Sequence, residues 1–335
     1  MFRCVVIPLA DASSAGAARR AGMNLGASLG LGEVKNGELG IIITEAARNA
    51  ILHGKGGQLV VAGETSNDSV SVDILALDGG PGIKDIARAF EDGYSTAGTP
   101  GTGLGAIRRK ADAMDLFSNG GGTAVLARVV QRAGTTPTTT PGNLEVGLVV
   151  GPYPGETVSG DAVATRQDPQ RTAILAVDGL GHGPFAAEAA DEAVKIFYQH
   201  ALKEPGEILD RIHDALKKTR GAAVAVAEIR PSAATLTYAG VGNIAATLLS
   251  GTQSRSLISH NGIVGHHMHR IQEFKVNWPD SGMLIMHSDG LQHRWDLSNY
   301  PGLSMRKAAL IAGVLFRDFR RGKDDASVVV VKERT

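Results

Sequence analysis

An α+β chain of two domains is what this sequence predicts, and three observations predict it. The chain has 335 residues, more than one ordinary domain needs. A stretch dominated by threonine, proline and glycine, residues 131–143, carries neither a helical nor a strand period and splits the chain. On one side of it helices alternate with a few strands, and on the other short apolar strand runs dominate, broken by grouped helices.

The elements follow in order. Residues 1–10 hold a short apolar run (Val5, Val6, Ile7) broken by Pro8, which reads as a first strand and not as a secretory signal. Residues 37–53 are helical in period, with Leu39, Ile42, Ile43, Ala46 and Ala50 on one face. Residues 59–62 and 70–77 read as strands, 106–114 as a helix entered from a glycine-rich loop, and 123–130 as a closing strand. Beyond the spacer, strands are expected at 146–150, 173–177, 222–229, 235–239, 245–249, 283–287 and 327–331. Helices are expected at 184–202, 205–218 and 305–317. Domains at 1–131 and 144–333, joined by a flexible linker at 132–143, follow from this pattern. Fragments ending near Arg132 and starting near Pro141 are expected to fold separately.

Composition removes several function classes. Basic and acidic side chains balance at 34 each, so the cationic excess of a phosphate-backbone binder is missing and nucleic acid is not an expected partner. No apolar run approaches the roughly 20 residues that span a bilayer, so no membrane partner is expected. One cysteine, Cys4, excludes an internal disulfide and fits a reducing, cytoplasmic setting.

In the first half three segments carry chemistry. Glu45, Asn49 and His53 stand at i, i+4 and i+8 in one helical row. An amide oxygen at Asn49 can ligate Mg²⁺, and a carboxylate one turn away at Glu45 can orient or deprotonate a hydroxyl. In LALDGGPGI a strand delivers Asp78 into a turn of Gly79, Gly80, Pro81 and Gly82, where a carboxylate can accept from an exocyclic amine such as adenine's. In GYSTAGTPGTGLGAI, Gly98, Gly101, Gly103 and Gly105 precede a helix start, a place where backbone N–H groups hold phosphate. Each segment alone also fits a plain reading: a polar helix surface, a hairpin turn, a loop. Neither a P-loop lysine motif nor the eukaryotic-type kinase set is present.

Taken in order, TEAARNAILHG, DGGPGI, GYSTAGTPGTGLGAIRRKAD and GGT resemble the N, G1 and G2 boxes of the GHKL ATPase superfamily, in the subtype of the small serine kinases of bacterial anti-sigma and stress-switch systems. The resemblance implies a GHKL (Bergerat) α/β sandwich. It implies Glu45 as general base, Asn49 as Mg²⁺ ligand and Asp78 as reader of the adenine of ATP. Gly80 and Gly82 would line the base pocket, Gly101, Gly103 and Gly105 would form the phosphate lid, and Thr123 would lie near the base.

In the second half aspartates stand at apparent strand ends: Asp161 in VSGD, Asp178 in VDGLGHG, Asp289 in SDGL, and Asp324 and Asp325 in DDAS. Strands that each present an acid at one rim can gather carboxylates around Mg²⁺ or Mn²⁺. Two such ions can activate a water against a phosphoester. A single Asp-Gly is ordinarily a turn; several in one domain point to a site. VSGD, VDGLGHG, YAGVGN, SDGL and DDAS in this order resemble the metal-dependent protein phosphatases of the stage II sporulation type, across roughly 144–332. That resemblance implies an α-β-β-α sandwich and a binuclear Mn²⁺ or Mg²⁺ centre held by Asp178, Asp289, Asp324 and the Gly179 carbonyl. Asp161 would hold the metal site indirectly or through water, and of the pair Asp324 and Asp325 the second is the less expected metal ligand. His182 in the same loop is a candidate helper of the leaving group. His260, His266, His267 and His269 match no standard zinc spacing and read as surface histidines.

Together the resemblances imply a bifunctional Ser/Thr kinase and phosphatase acting on a STAS-domain anti-sigma-factor antagonist or a stressosome scaffold protein, with a sigma-pathway phosphatase or an anti-sigma factor as further partners. The alternative is a first half that binds ATP as an anti-sigma or adaptor module with little turnover, fused to an active phosphatase.

Overall fold

The computed structural model describes residues 2–65, 69–91, 103–132, 134, 143–268 and 271–334. Contacts divide the chain into a unit of Met1–Thr138 with Asn299–Arg317, and a unit of Thr139–Ser298 with Asp318–Thr335.

The first unit runs β1 (Phe2–Leu9), α1 (Ala12–Ser28), α2 (Glu33–Gly54), β2 (Gly57–Thr65), β3 (Ser69–Asp78), α3 (Ile86–Ala89), α4 (Gly103–Lys110), β4 (Ala113–Asn119) and β5 (Gly122–Arg132). Its strands form one antiparallel sheet in the order β1-β2-β3-β5-β4. Asp11 starts α1 through a capping box with Ser14, which satisfies backbone N–H groups that a helix start leaves open. The expected stripe of α2 is the core face. Leu39, Ile42, Ile43, Ala46 and Ala50 are buried against Leu59, Val61, Val72, Ile74 and Ala76 of the sheet.

The helix expected at 106–114 ends earlier, at Lys110, and Ala113 and Met114 open a strand. Asp112 marks the switch. Its N–H donates to the Arg128 carbonyl, and its carboxylate accepts from the Val130 N–H and from Lys35. Pairing with β5 therefore overrides the local helical period.

The alternate residues of the same sheet, Val60, Leu75, Leu77 and Leu126, are buried as well. They do not belong to the cluster packed under α2. Within this unit the segment Asn299–Arg317 lies on that side. A Cβ at Gly313 would stand 3.2 Å from methyls of Leu75 and Leu77, so helix and sheet approach closely there. The Tyr300 ring stands 6.3 Å from Phe117, and Asp115 accepts from the Lys307 N–H at 2.8 Å and from Arg306. The first unit is thus completed by residues far downstream of the spacer, which revises the expectation for isolated fragments.

The second unit runs β6 (Leu144–Gly151), β7 (Asp161–Gln167), β8 (Thr172–Gly179), α5 (Pro184–His200), α6 (Pro205–Leu216), β9 (Ala222–Arg230), β10 (Thr235–Val241), β11 (Ala245–Ser250), β12 (Gln253–Leu257), β13 (Phe274–Asn277), β14 (Met283–His287) and, after α7 (Ala308–Phe319), β15 (Ala326–Glu333). Two five-stranded sheets result, β13-β10-β9-β8-β7 and β12-β11-β14-β15-β6. Helices α5 and α6 bury Ala189, Ala193, Phe197, Ile208 and Ile212 against Leu175, Val224 and Val226 of the first of these. Every strand expected in this half is present. Three more, β7, β12 and β13, carry no apolar run long enough to announce them.

Candidate functional site in each unit

Strand β3 ends by placing Asp78 almost out of solvent, 9 % exposed. Its Oδ1 accepts from the Gly80 N–H at 2.9 Å and from the Thr123 N–H at 3.2 Å. Among the described residues its Oδ2 makes no hydrogen bond. Burial pushes the carboxyl upward from its ordinary range, while the two N–H groups and the nearby Arg317 and His53 pull it down. Thr123 is tied further through its hydroxyl to Ser118 at 3.0 Å, and Ser118 accepts from the Ile83 N–H. Gly122 has φ +138, and a Cβ there would lie 2.0 Å from the Asp78 carbonyl, so only glycine fits the turn. Gly82, at φ +77, backs onto the Asn119 carbonyl.

The predicted residues therefore assemble in groups. Asp78, Gly80 and Thr123 form one hydrogen-bonded unit, with Gly82 in the turn beside it. Asn49 meets the start of α4, where a Cβ on Gly103 would lie 3.0 Å from its amide atoms. Gly105 is buried in α4. Glu45 is half-buried one turn before Asn49, with Arg48 as a distant ion partner at 4.0 Å. Gly101 and Gly98 lie outside the described residues.

In the second unit the acids converge from four strand ends. Asp161 and Asp178 are direct cross-strand partners of β7 and β8. Asp161 is buried, and one of its oxygens has no hydrogen-bond partner. Burial above all, and then the charge of Asp178, drive its carboxyl well upward, with the nearby Ser288 and Ser327 hydroxyls opposing the shift. Asp178 is pushed up to about 7, first by burial and then by the charges of Asp289, Asp324 and Asp325. Asp324 is shifted upward by burial, with Asp289 and Asp325 adding to it. Asp289 accepts from the Asn243 amide at 2.6 Å. Gly179 sits against the Gly160 carbonyl, with its own N–H bonded to it. Among the described residues no three His, Cys, Asp or Glu side chains close on one point as a ready-made metal cage. An all-oxygen set of mutually repelling, partly buried carboxylates nevertheless fits hard divalent cations, because Mg²⁺ takes only one or two carboxylates and keeps several waters.

Three features here escaped sequence reading. Asn243 ends the YAGVGN segment, and only the pairing of β11 with β14, which sets Ala245 opposite His287, brings it to Asp289. Asp325 accepts from the Tyr153 N–H at 2.7 Å and the Gly160 N–H at 2.9 Å and so pins the loop before β7. That loop presents Glu156 to His182 at 2.5 Å, under the stacked Tyr153 ring. Asp325→Ala would strand two N–H groups. It is expected to cost about 1–3 kcal/mol for each one left unsatisfied, read as a lowered denaturation midpoint. Of the histidine group, His266 and His267 are exposed, whereas His260 is half-buried and stacked on Phe274. His269 lies outside the described residues.

Comparison with known proteins is consistent with both geometries. Residues 9–129 match the model of the histidine kinase-like ATPase domain, and residues 168–333 match that of stage II sporulation protein E. Serine/threonine-protein kinase RsbT of Bacillus subtilis is 38% identical over 112 residues, which is 33% of this chain and 84% of RsbT. Phosphoserine phosphatase RsbX of the same organism is 25% identical over 138 residues, 41% of this chain and 69% of RsbX. A solved chain described under "The bacterial stressosome: a modular system that has been adapted to control secondary messenger signaling" superposes with a TM-score of 0.53 at 27% identity, over 56% of this chain and 99% of its own. Crystalline RsbX in complex with magnesium superposes with a TM-score of 0.51 at 19% identity, over 60% and 99%, which speaks to fold alone. Among the described residues no helix is long and apolar enough to cross a membrane.

Proposed function

We propose that this chain, which belongs to the RsbT-like histidine kinase-type ATPases through its first half and resembles stage II sporulation protein E over residues 168–333, is a bifunctional partner-switching enzyme. Its first unit transfers phosphate from ATP to a serine or threonine of a STAS-domain partner, and its second removes such phosphate. The setting is cytoplasmic. The observation that carries the reading is that each unit holds a charged site its fold alone does not require: a buried Asp78 with one open oxygen, and a set of repelling aspartates around Asp178.

In the first unit Asp78 would accept the adenine amine at Oδ2 while Gly80 and Thr123 hold Oδ1. Asn49 would contribute an amide oxygen to Mg²⁺, and Glu45 would orient the attacking hydroxyl and take its proton. In the second unit Asp178, Asp289, Asp324 and the Gly179 carbonyl would hold Mg²⁺ or Mn²⁺, with Asp161 beneath them. When bound, these ions supply an activated water and neutralise the phosphate. Asn243 would fix the Asp289 carboxylate in place.

The test is transfer of labelled phosphate from MgATP to a purified STAS-domain protein by the full chain. Asn49→Ala is expected to lower transfer by about 100-fold or more, since phosphoryl transfer rests on positioning. Unchanged transfer by that variant would remove the assignment. Tight ATP binding without transfer by the unaltered chain would favour the adaptor reading.

A further inference from the structure

The buried carboxylate that is to read the nucleotide base has a cationic neighbour that the first half of the sequence does not contain. Arg317, in α7, donates through a guanidinium nitrogen to the Asp78 main-chain carbonyl at 3.2 Å. The same nitrogen stands 2.9 Å from where a Cβ on Gly122 would be, so the turn facing Asp78 is open on that side because residue 122 is glycine. Arg317 is half-buried and belongs to the first unit by contact, yet it lies far outside the residues 9–129 that match the ATPase domain.

The geometry points to Arg317 as a positioning residue of the base pocket, holding the end of β3 in register and keeping the Asp78 carboxylate in its acceptor-only form. This rests on the reading of Asp78 as the adenine contact. The physical need is clear from the surroundings. Burial opposes the charge on Asp78, and the groups that support it are the Gly80 and Thr123 N–H donors, Arg317 and His53. Of these, only Arg317 carries a charge at every relevant pH. An ionised carboxylate accepts only, whereas a protonated one also donates. The first form suits the exocyclic amine of adenine. The second suits the oxo group that hypoxanthine carries at the same position. The charge on Asp78 therefore sets which base is preferred, and a site built for one hydrogen-bond pattern rejects the other strongly.

The experiment is equilibrium binding of MgATP and of MgITP to the full chain, with the ratio of the two affinities as readout. The unaltered protein should prefer ATP. Arg317→Ala should reduce that preference about tenfold, equivalent to about 1.4 kcal/mol, through weaker ATP binding and relatively better ITP binding. Arg317→Lys should restore most of it. A purely structural loss would weaken both nucleotides together and leave the ratio in place. Arg317→Gln, which keeps a donor and most of the volume but not the charge, decides the matter if the alanine variant does not fold, and it should also lose preference. A ratio equal to that of the unaltered protein in a folded Ala or Gln variant overturns the role of Arg317 while leaving Asp78 as base reader. Absence of any ATP preference in the unaltered protein overturns the reading of Asp78 itself, and the role of Arg317 with it.

Discussion

A fragment ending at Arg132 is expected to self-associate or to lose its cooperative unfolding transition, although it contains every residue that matches the ATPase domain. The reason lies on the side of the sheet away from α2. Leu75 and Leu77 are fully buried there, and Gly313 of α7 packs against both. Exposing a buried leucine costs about 1.5–3 kcal/mol, so baring these two alone removes roughly 3–6 kcal/mol from a domain whose whole stability is about 5–15 kcal/mol. Loss of the Asp115 contacts with Arg306 and the Lys307 N–H adds to the deficit. Sedimentation and thermal melts of the fragment would check this. Adding a peptide of residues 299–319 in trans should recover solubility. A monomeric fragment with the melting behaviour of the full chain would show that α7 contributes nothing to this fold.

Asp178→Asn is expected to abolish metal-dependent phosphatase activity, by about 100-fold or more, and at the same time to stabilise the metal-free protein above neutral pH. The second effect follows from the sign of the shift. Burial and the charges of Asp289, Asp324 and Asp325 raise the Asp178 carboxyl from its ordinary range to about 7 in the folded chain. A group raised on folding gives stability that is complete below its unfolded value and is lost as pH climbs through the folded one. In EDTA the unaltered protein should therefore lose stability between about pH 4 and pH 8. The Asn variant, which cannot ionise, should show a flatter profile there, with a difference on the order of a few kcal/mol. Mn²⁺ should reverse the ranking by supplying the counter-charge. Melting temperatures across this range, with chelator and with Mn²⁺, are the measurement. A profile with the same slope in both proteins would mean that burial and the neighbouring charges do not raise the Asp178 carboxyl on folding, and full activity of the Asn variant would remove it from the metal set.

Much of this protein was legible in its sequence because local signals agreed with the final structure. The α2 stripe of Leu39, Ile42, Ile43, Ala46 and Ala50 predicts one buried face, and that face is buried. Apolar runs at 173–177, 222–229 and 327–331 predict strands, and strands stand there, buried along those runs. The aspartates at strand ends are visible because hydrophobic strands make any terminal acid stand out. Short or polar strands gave no such signal. β12, with the sequence QSRSL, is almost wholly exposed and exists through its ladder to β11. The helix expected across 106–114 failed for a related reason: pairing with β5 claims Ala113 and Met114.

By itself, then, the sequence determined the fold class, the order of the main elements and the residue types that line the two candidate sites, because periodicity and glycine-acid motifs are local properties. Tertiary structure alone decided which distant residues share a site. Asn243 reaches Asp289 only through strand pairing, and Asp325 turns to the Tyr153 and Gly160 N–H groups instead of joining its neighbour Asp324. It also decided where the first unit ends. The spacer at 131–143 looks like a boundary because no short-range pattern survives in it, but the second face of a sheet must be covered by something. Which segment covers it depends on packing across nearly two hundred residues, a distance over which no local period carries information, and here that segment brings Arg317 to Asp78.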